Sequence, residues 1–176
     1  GISKDFKNNK FFYDNFSNLN YKNYIFDIRD KKKIKKILNL HKPEFIFHLA
    51  AQALVFDSYL DPYETFHNNF ISSLNILEVC RKLNFKTNFI FITSDKSYKN
   101  IEKQAGYTES DKIGGDDPYS GSKSAIEMLI NSYQKSFFKN KNSKVRLAVA
   151  RAGNVIGGGD LSDNRIIPDA FKCWSK

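Results

Sequence analysis

The pattern of apolar and polar positions predicts strands that alternate with amphipathic helices. Four short apolar runs have the continuous hydrophobic character of buried strands: residues 24–26, 45–49, 88–93 and 145–150. Apolar residues recur at spacings of three and four in three longer segments, which predicts helices at residues 31–41, 62–84 and 118–138. Residues 1–23 are polar with scattered aromatic residues, and we expect a loop there. This alternation indicates βαβ units and an α/β fold with a doubly wound parallel sheet.

Residues at the ends of the predicted helices support these boundaries. Asp30 is placed to cap the first helix, and Pro43 ends it. Asp117 and Pro118 cap and open the third helix. On the second helix, one face is predicted to point inward with Phe66, Phe70, Leu74, Leu77 and Cys80.

Composition and charge narrow the class of protein. The chain has 176 residues, the size of one domain, with 28 Lys and Arg against 19 Asp and Glu and a net charge of +9. Lysines in asparagine-rich stretches carry that charge, and we interpret them as a solvated basic surface with no nucleic-acid partner. A basic nucleic-acid-binding domain is the alternative from another class. The strongest apolar stretch, residues 45–55, is interrupted by His48 and Gln52, so we expect no membrane span.

The cysteines and the first residues bear on localisation and completeness. Cys80 and Cys173 have neither a CxxC spacing nor a Cys/His spacing that would hold zinc, so we expect no metal and a reducing cytoplasm. The sequence begins with Gly1 and shows no secretory pattern. Because no initiator Met is present, we expect the native N-terminus to lie upstream.

Tyr119 and Lys123 lie four residues apart on the third predicted helix, so one turn places both side chains on the same face. A lysine cation stabilises a phenolate, and we expect it to lower the pKa of Tyr119 below its reference value of about 10. Such a phenolate accepts a hydroxyl proton near neutral pH. Helices also hold such pairs by chance, and a tyrosine on a lysine-covered face is the structural alternative.

Small and polar residues follow the predicted strands, where the ligand sites of open parallel sheets lie. Three such segments are Ala50-Ala51-Gln52, Thr93-Ser94-Asp95-Lys96 and Arg151-Ala152-Gly153-Asn154. The second segment offers a hydroxyl, a carboxyl and an amine for acid–base chemistry, with a solvated polar turn as the alternative. After the first strand, the Asp27 carboxylate is placed to accept from the amine of adenine while the Ile28 amide donates to the ring. The alternative for Asp27 is an ordinary aspartate at the end of a strand.

His48 lies within an apolar strand, and we interpret it as a hydrogen-bonded core residue.

Taken together, these motifs resemble the nucleotide-sugar enzymes of the extended short-chain dehydrogenase/reductase family. The matching segments are His48 to Gln52, Thr93 to Lys96, Asp117 to Lys123 and Arg151 to Asp160. The resemblance runs from about Asp27 to about Pro168. Within the family, the Ser-Asp-Lys triplet and the glycine-rich run after Arg151 favour the 4,6-dehydratases that act on CDP-glucose. An epimerase or a reductase of the same family is the alternative.

The resemblance implies an NAD-dependent lyase that converts CDP-glucose to a 4-keto-6-deoxy product, in deoxysugar biosynthesis for the lipopolysaccharide O-antigen. The catalytic residues it implies are Ser94, Asp95, Lys96, Tyr119 and Lys123. Those implied to contact NAD are Asp27, Ile28, Ala50, Ala51, Gln52, Asn69, Tyr119 and Lys123. Those implied to contact the substrate are Ser94, Asn154 and Arg165. A homodimer through the helices at 62–84 and 118–138 is implied as well.

In that resemblance each catalytic side chain has a role. Tyr119 takes the O4 proton, Lys123 lowers its pKa and contacts the nicotinamide ribose, and Ser94 hydrogen-bonds O4. Lys96 removes the C5 proton, while Asp95 gives a proton to the departing C6 hydroxyl.

The sequence also departs from the family pattern. No Gly-x-x-Gly-x-x-Gly turn, which would hold the pyrophosphate of NAD, occurs in residues 1–30. We therefore expect a Rossmann-like sheet without its first two strands and without most of the C-terminal substrate domain. Residues 157–176 lead toward that domain, and Leu161 stands where this branch has tryptophan. We interpret the chain as an internal fragment that is inactive and binds NAD weakly on its own.

Overall fold

The computed structural model describes residues 1–4, 20–160 and 162–175, which form two compact units. One unit consists of Asp27–Gly153, and the other of Gly1–Phe26 with Asn154–Lys176. Within the described residues, no helix is both long and apolar enough to cross a bilayer.

A three-stranded parallel sheet forms the centre of the larger unit. Its strands are β3 (Phe45–His48), β4 (Thr87–Ser94) and β5 (Val145–Ala152), in that order across the sheet. Strand β4 lies in the middle, and its Phe89 and Phe91 are fully buried. The helices of this unit are α1 (Lys31–His41) before β3, α2 (Val55–Leu60), α3 (Pro62–Phe66) and α4 (Ser72–Cys80) between β3 and β4, and α5 (Pro118–Tyr133) between β4 and β5.

The capping residues predicted from the sequence begin the helices as expected. The Asp30 carboxylate accepts hydrogen bonds from the amides of Lys32 and Lys33, each at 3.1 Å, at the start of α1. The Asp117 carboxylate accepts from the Ser120 amide at 3.0 Å at the start of α5. These carboxylates satisfy backbone donors that the first turn of a helix leaves without partners.

A π-helical turn, His67–Ile71, joins α3 to α4, so the helix predicted at 62–84 is one element with an irregular middle. The extra residue of a π-turn rotates all that follows relative to an α-helix. For this reason the predicted inward face is only partly right. Leu77 and Cys80 are buried, but Phe66 is 40% exposed and buried Asn69 takes an inward position. A second π-turn, Gln134–Phe138, extends α5.

The smaller unit contains a two-stranded parallel sheet, formed by β1 (Ile2–Ser3) and β2 (Tyr24–Ile25), and the helix α6 (Ile166–Trp174). The loop predicted over residues 1–23 is therefore wrong at β1, whose two residues are too few to show a strand periodicity. Strand β1 pairs with β2 in parallel, with Ile2 opposite Tyr24 and Ser3 opposite Ile25. Residues 5–19 lie outside the described part of the chain.

Candidate functional site

The carboxyl ends of β3, β4 and β5 meet at one edge of the three-stranded sheet. His48 pairs in register with Phe91, and Ser94 pairs with Ala152. The chain therefore leaves all three strands at this edge, and Ala50 to Gln52, Asp95, Lys96 and Gly153 directly follow. Parallel sheets bind ligands beyond this edge.

Ser94 ends β4 and organises the tight turn that follows it. Its hydroxyl accepts from the Lys96 amide at 3.2 Å and donates to the Asp95 carboxylate at 3.0 Å. Asp95–Ser97 forms a single 3-10 turn that leaves Asp95 and Lys96 exposed. A hydroxyl, a carboxyl group and an amino group thus lie within three consecutive residues at the sheet edge.

Tyr119 and Lys123 occupy the first two turns of α5, as their spacing predicts. The Lys123 Nζ lies 5.6 Å from the centre of the Tyr119 ring. Both side chains are buried, at 9% and 6% exposure. Burial lowers the pKa of Lys123 because an ammonium loses hydration in the protein interior. The predicted phenol–amine pair is therefore formed, in a buried environment.

A buried ion pair between Glu127 and Arg151 lies between α5 and the ends of β4 and β5. Arg151 Nε donates to Glu127 Oε1 at 2.8 Å, and Nη2 donates to Oε2 at 2.6 Å. Glu127 Oε1 also accepts from the hydroxyls of Thr93 at 2.6 Å and Ser97 at 3.1 Å. Burial raises the pKa of Glu127, but these hydrogen bonds outweigh burial and lower it overall. The group is therefore a carboxylate with both oxygens in use.

Asn69, within the π-turn, links the exit of β3 to α5. Its Oδ1 accepts from the Gln52 amide at 2.7 Å, and its Nδ2 donates to the Gln52 carbonyl at 3.1 Å. The same Nδ2 donates to the Ser122 hydroxyl at 3.0 Å. Gln52 Nε2 donates to the Leu54 carbonyl, whereas buried Gln52 Oε1 accepts no hydrogen bond from the described residues. Ala50 and Ala51, which are predicted to contact NAD together with Gln52, directly precede Gln52 in the chain and are exposed.

His48 is buried at the end of β3, as interpreted from the sequence. Its Nε2 lies 3.4 Å from the Ser73 hydroxyl, and its ring packs edge-on against Phe91. Burial, with a smaller contribution from the charge of Lys123, lowers the pKa of His48 to about 4. His48 is therefore a neutral core residue at neutral pH.

Asp27 and Ile28 belong to a turn that ion pairs hold against α3. Arg29 Nη2 donates to Asp27 Oδ2 at 2.6 Å, and Arg29 Nη1 donates to Glu64 Oε1 at 3.1 Å. Nη1 also lies 2.6 Å from His67 Nδ1. The backbone amide and Nε of Arg29 also donate to the Asp27 carboxylate, at 2.9 Å and 3.0–3.1 Å, so Arg29 contacts both of its oxygens.

The predicted substrate residues Asn154 and Arg165 belong to the smaller unit. Asn154 is exposed after β5. Arg165 Nε lies 3.7 Å from Asp160 Oδ2, and this ion pair lies within that same unit.

Two residues at this site were not predicted from the sequence. Glu127 was missed, although a glutamate among the inward positions of an amphipathic helix is a signal of a buried ion pair. Gly115 was missed because its role is steric: a Cβ there would lie 2.3 Å from the Ser120 backbone carbon. Glu127 ties α5, the helix that carries Tyr119 and Lys123, to Arg151 of β5. Gly115 allows the preceding loop to pass close to the first turn of that helix.

Comparison with protein families and curated proteins gives consistent matches. The sequence profile of the family described as GDP-mannose 4,6 dehydratase matches residues 3–144. The CDP-glucose 4,6-dehydratase of Salmonella typhimurium is 42% identical over 154 residues, which make up 86% of this chain and 43% of that relative. The chain therefore spans less than half the length of the relative.

Two solved structures have a similar backbone. The UDP-glucose 4-epimerase of Thermotoga maritima has a TM-score of 0.68 and 30% identity, and the match covers 81% of this chain and 45% of that one. The dTDP-glucose 4,6-dehydratase of Streptomyces venezuelae, solved with NAD, has a TM-score of 0.76 and covers 89% and 46%. At 18% identity the second match shows the fold alone. The doubly wound α/β fold predicted from the sequence is confirmed.

Proposed function

Because the chain belongs to the GDP-mannose 4,6-dehydratase family, we propose that the complete protein is a hydro-lyase that removes water from a nucleotide-activated hexose, with CDP-glucose as substrate. The product is the 4-keto-6-deoxy sugar nucleotide. The identity to a CDP-glucose 4,6-dehydratase supports the choice of nucleotide. The Ser94-Asp95-Lys96 triplet supports dehydration over epimerisation because elimination needs both an acid and a base.

One observation carries the proposal: the helix with Tyr119 and Lys123 packs against the turn with Asp95 and Lys96. The Ser97 carbonyl of that turn accepts from the Ser124 hydroxyl of α5 at 3.1 Å. Buried side chains that remove a hydroxyl proton and side chains that support elimination are thus joined at one sheet edge. A solvated polar turn would not need this buried contact.

The cofactor we propose is NAD, and the residues present fit part of it. Buried Tyr119 and Lys123 suit the nicotinamide ribose. Gln52 Oε1, which has no donor among the residues that the structure describes, is an acceptor for an amide such as that of nicotinamide. Asp27 would hold the adenine amine. Residues 1–176 contain no Gly-x-x-Gly-x-x-Gly turn for the pyrophosphate. Held at this site, NAD would supply a hydride acceptor for the oxidation at C4 and a hydride donor for the reduction at C6.

The side chains of this chain would move the protons. Tyr119 Oη takes the proton from O4, and the neighbouring Lys123 ammonium stabilises the phenolate that does so. The C4 ketone acidifies the C5 hydrogen, which Lys96 Nζ removes as a free amine. Asp95, as a carboxylic acid, gives a proton to the C6 hydroxyl, which leaves as water while a C5–C6 double bond forms. Lys96 returns its proton to C5 when C6 is reduced, and the proton that Tyr119 gains balances the one that Asp95 gives up.

The test is product analysis with the complete protein, CDP-glucose and NAD. We expect a product lighter than the substrate by one water, and we expect Tyr119→Phe to abolish it. Tyr133→Phe is the matched control, because Tyr133 lies on the same helix and its hydroxyl donates to Glu78 at 2.9 Å. A product of unchanged mass would show an epimerase instead. Salt-sensitive duplex binding without turnover would support the nucleic-acid alternative.

A homodimer through α3, α4 and α5 is part of the proposal. Large apolar side chains on these helices are exposed: Tyr63 at 77%, Phe66 at 40% and Met128 at 67%. Exposed apolar area of this kind is buried when a second copy covers it. The cytoplasmic location and the role in O-antigen synthesis stay predictions.

A further inference from the structure

We infer that Glu127 is a positioning residue that sets Asp95 and Lys96 for the elimination step; the inference rests on the proposed function. Glu127 Oε1 accepts hydrogen bonds from Thr93 at 2.6 Å and from Ser97 at 3.1 Å. These two residues flank the segment Ser94 to Lys96 on either side. One carboxylate oxygen thus holds both ends of the turn that carries the elimination chemistry.

The carboxylate is itself fixed in place. Arg151 contacts both oxygens of Glu127, and only 5% of the Glu127 side chain is exposed. The Arg151 guanidinium in turn lies 4.5 Å from the centre of the Tyr98 ring, directly after the turn. A bidentate pair restricts both side chains more than a single contact does. Glu127 is therefore a rigid anchor for the turn.

The anchor belongs to the helix that carries the other half of the chemistry. Glu127 lies one turn beyond Lys123 and two turns beyond Tyr119 on α5, which has buried residues throughout. Asp95 and Lys96 are exposed, so packing of their own side chains does not set their position. Contacts at the flanks of the turn do so instead. Glu127 consequently fixes the elimination pair relative to the oxidation pair.

Loosening this anchor has a specific consequence for the reaction. Tyr119 and Lys123 stay in α5, whose cap and core are unchanged, and removal of the O4 proton continues. Asp95 and Lys96 are then no longer fixed in position relative to Tyr119 and Lys123, so removal of the C5 proton and loss of the C6 hydroxyl slow down. A general loss of stability would instead slow both steps together.

The decisive variant is Thr93→Val, which keeps the shape of the side chain and removes one hydrogen bond to Glu127. Thr87→Val is the matched control: it makes the same change on the same strand, at the opposite end, where the Thr87 hydroxyl lies 3.4 Å from the Glu44 carbonyl. Ser97→Ala removes the second hydrogen bond. Glu127→Gln keeps a carbonyl for the hydroxyls but places an amide against Arg151.

The complete protein is mixed with CDP-glucose and NAD, and the sugar is analysed by acid quench and mass spectrometry. In Thr93→Val and Ser97→Ala we expect the 4-keto sugar that still holds its C6 hydroxyl to accumulate, with elimination about tenfold slower, because a hydrogen bond to a charged group is lost. We expect Thr87→Val to match the wild type. Amide hydrogen exchange should rise at residues 95–98 and stay unchanged in α5.

Measurements on the wild type test the proposed function, and measurements on Thr93→Val test the inference, so the two can fail separately. A wild type that yields an isomer overturns the proposed function and the inference with it. A wild type that loses water, with Thr93→Val showing no accumulation and no faster exchange at residues 95–98, overturns the inference alone. Equal slowing of both steps in Thr93→Val shows a purely structural role and also overturns it.

Discussion

The Asn69 side chain makes two hydrogen bonds with the backbone of Gln52: its Oδ1 accepts from the Gln52 amide at 2.7 Å, and its Nδ2 donates to the Gln52 carbonyl at 3.1 Å. This pairing stands in for a strand partner at the point where the chain leaves β3. The third contact, to Ser122 on α5, ties that exit to the helix of Tyr119 and Lys123.

We expect Asn69→Asp to weaken cofactor binding and stability together. A carboxylate keeps the contact with the Gln52 amide but repels the Gln52 carbonyl, so the segment predicted to line the nicotinamide side loosens. We expect a KM for NAD raised about tenfold and a stability loss of about 1–3 kcal/mol. Steady-state kinetics and urea unfolding of the complete protein measure these two quantities.

Asn75→Asp is the control for this prediction, since Asn75 is buried on the same helix and its amide donates to the Arg29 carbonyl at 3.0 Å. It should cost similar stability but leave the Gln52 segment in place. An unchanged KM for NAD in Asn69→Asp would contradict the prediction.

The neutral His48 makes stability depend on pH. Its pKa is about 4 in the fold against 6.5 for an ordinary histidine, so the unfolded chain binds more protons between these values. Stability is therefore complete above pH 6.5 and falls on acidification toward pH 4, by up to roughly 3 kcal/mol. Thermal unfolding across this range measures the loss.

His48→Gln should flatten that pH dependence, because a glutamine does not titrate there, whereas His41→Gln should retain it. Lys123→Met should raise the pKa of His48, since one of its two causes is removed, yet leave it below 6.5 because burial dominates. Proton NMR of the His48 ring follows this titration. An unshifted titration would show that the charge of Lys123 does not reach the ring.

Gly115→Ala should displace the start of α5. The new Cβ would lie 2.3 Å from the Ser120 backbone carbon and 2.5 Å from the Gly121 amide nitrogen, which backbone atoms cannot relieve by a side-chain rotation. We expect a stability loss of about 1–3 kcal/mol from overpacking and a larger fall in kcat than in substrate affinity, because Tyr119 moves.

The neighbouring Gly114→Ala is the control. Its Cβ would lie 3.3 Å from the Lys99 Cβ, a tight contact that a shift of a few tenths of an ångström in the exposed segment at Lys99 relieves. Stability and kcat close to those of the wild type are expected for this variant. Equal losses of stability and kcat in Gly114→Ala and Gly115→Ala would contradict the steric argument.

Met128→Glu should convert the proposed dimer to monomers. A charge on this exposed face of α5 would be desolvated on association, and an unpaired buried charge is costly. Sedimentation at micromolar concentration measures the change. Leu40→Glu places the same charge at an equally exposed position, 64% against 67% for Met128, on α1, and should leave the dimer intact. A wild type that sediments as a monomer contradicts the proposal directly.

The sequence predicts elements whose signals are local. Asp30 and Asp117 cap the helices where the pattern places them, because a cap depends on a few adjacent residues. The spacing of Tyr119 and Lys123 likewise gives their shared face. The ion pair of Glu127 with Arg151 could not be predicted as a pair, since it joins elements 24 residues apart whose contact follows from the packing of a helix on a sheet.

The two-residue strand β1 and the π-turn escape prediction for another reason. Ile2–Ser3 spans a single period of strand alternation, whereas a recognisable pattern needs at least two. A π-turn has no distinct composition, and only the burial of Asn69 in place of Phe66 reveals it. The roles of the individual site residues stay predictions from family resemblance and from chemistry.

The irregular turn at His67–Ile71 also makes the effect of a deletion depend on its position in this helix. An α-helix advances about 100° per residue, so removing one residue from the regular turn at the start of α4 would swing everything beyond it around the axis by that angle. Ile76, Leu77 and Cys80 would then leave the core. Removing one residue from the π-turn would instead leave a regular α-helix with the same face beyond it, because a π-turn holds one residue more than an α-turn. A library that varies length should therefore recover single deletions within the π-turn and none at the start of α4.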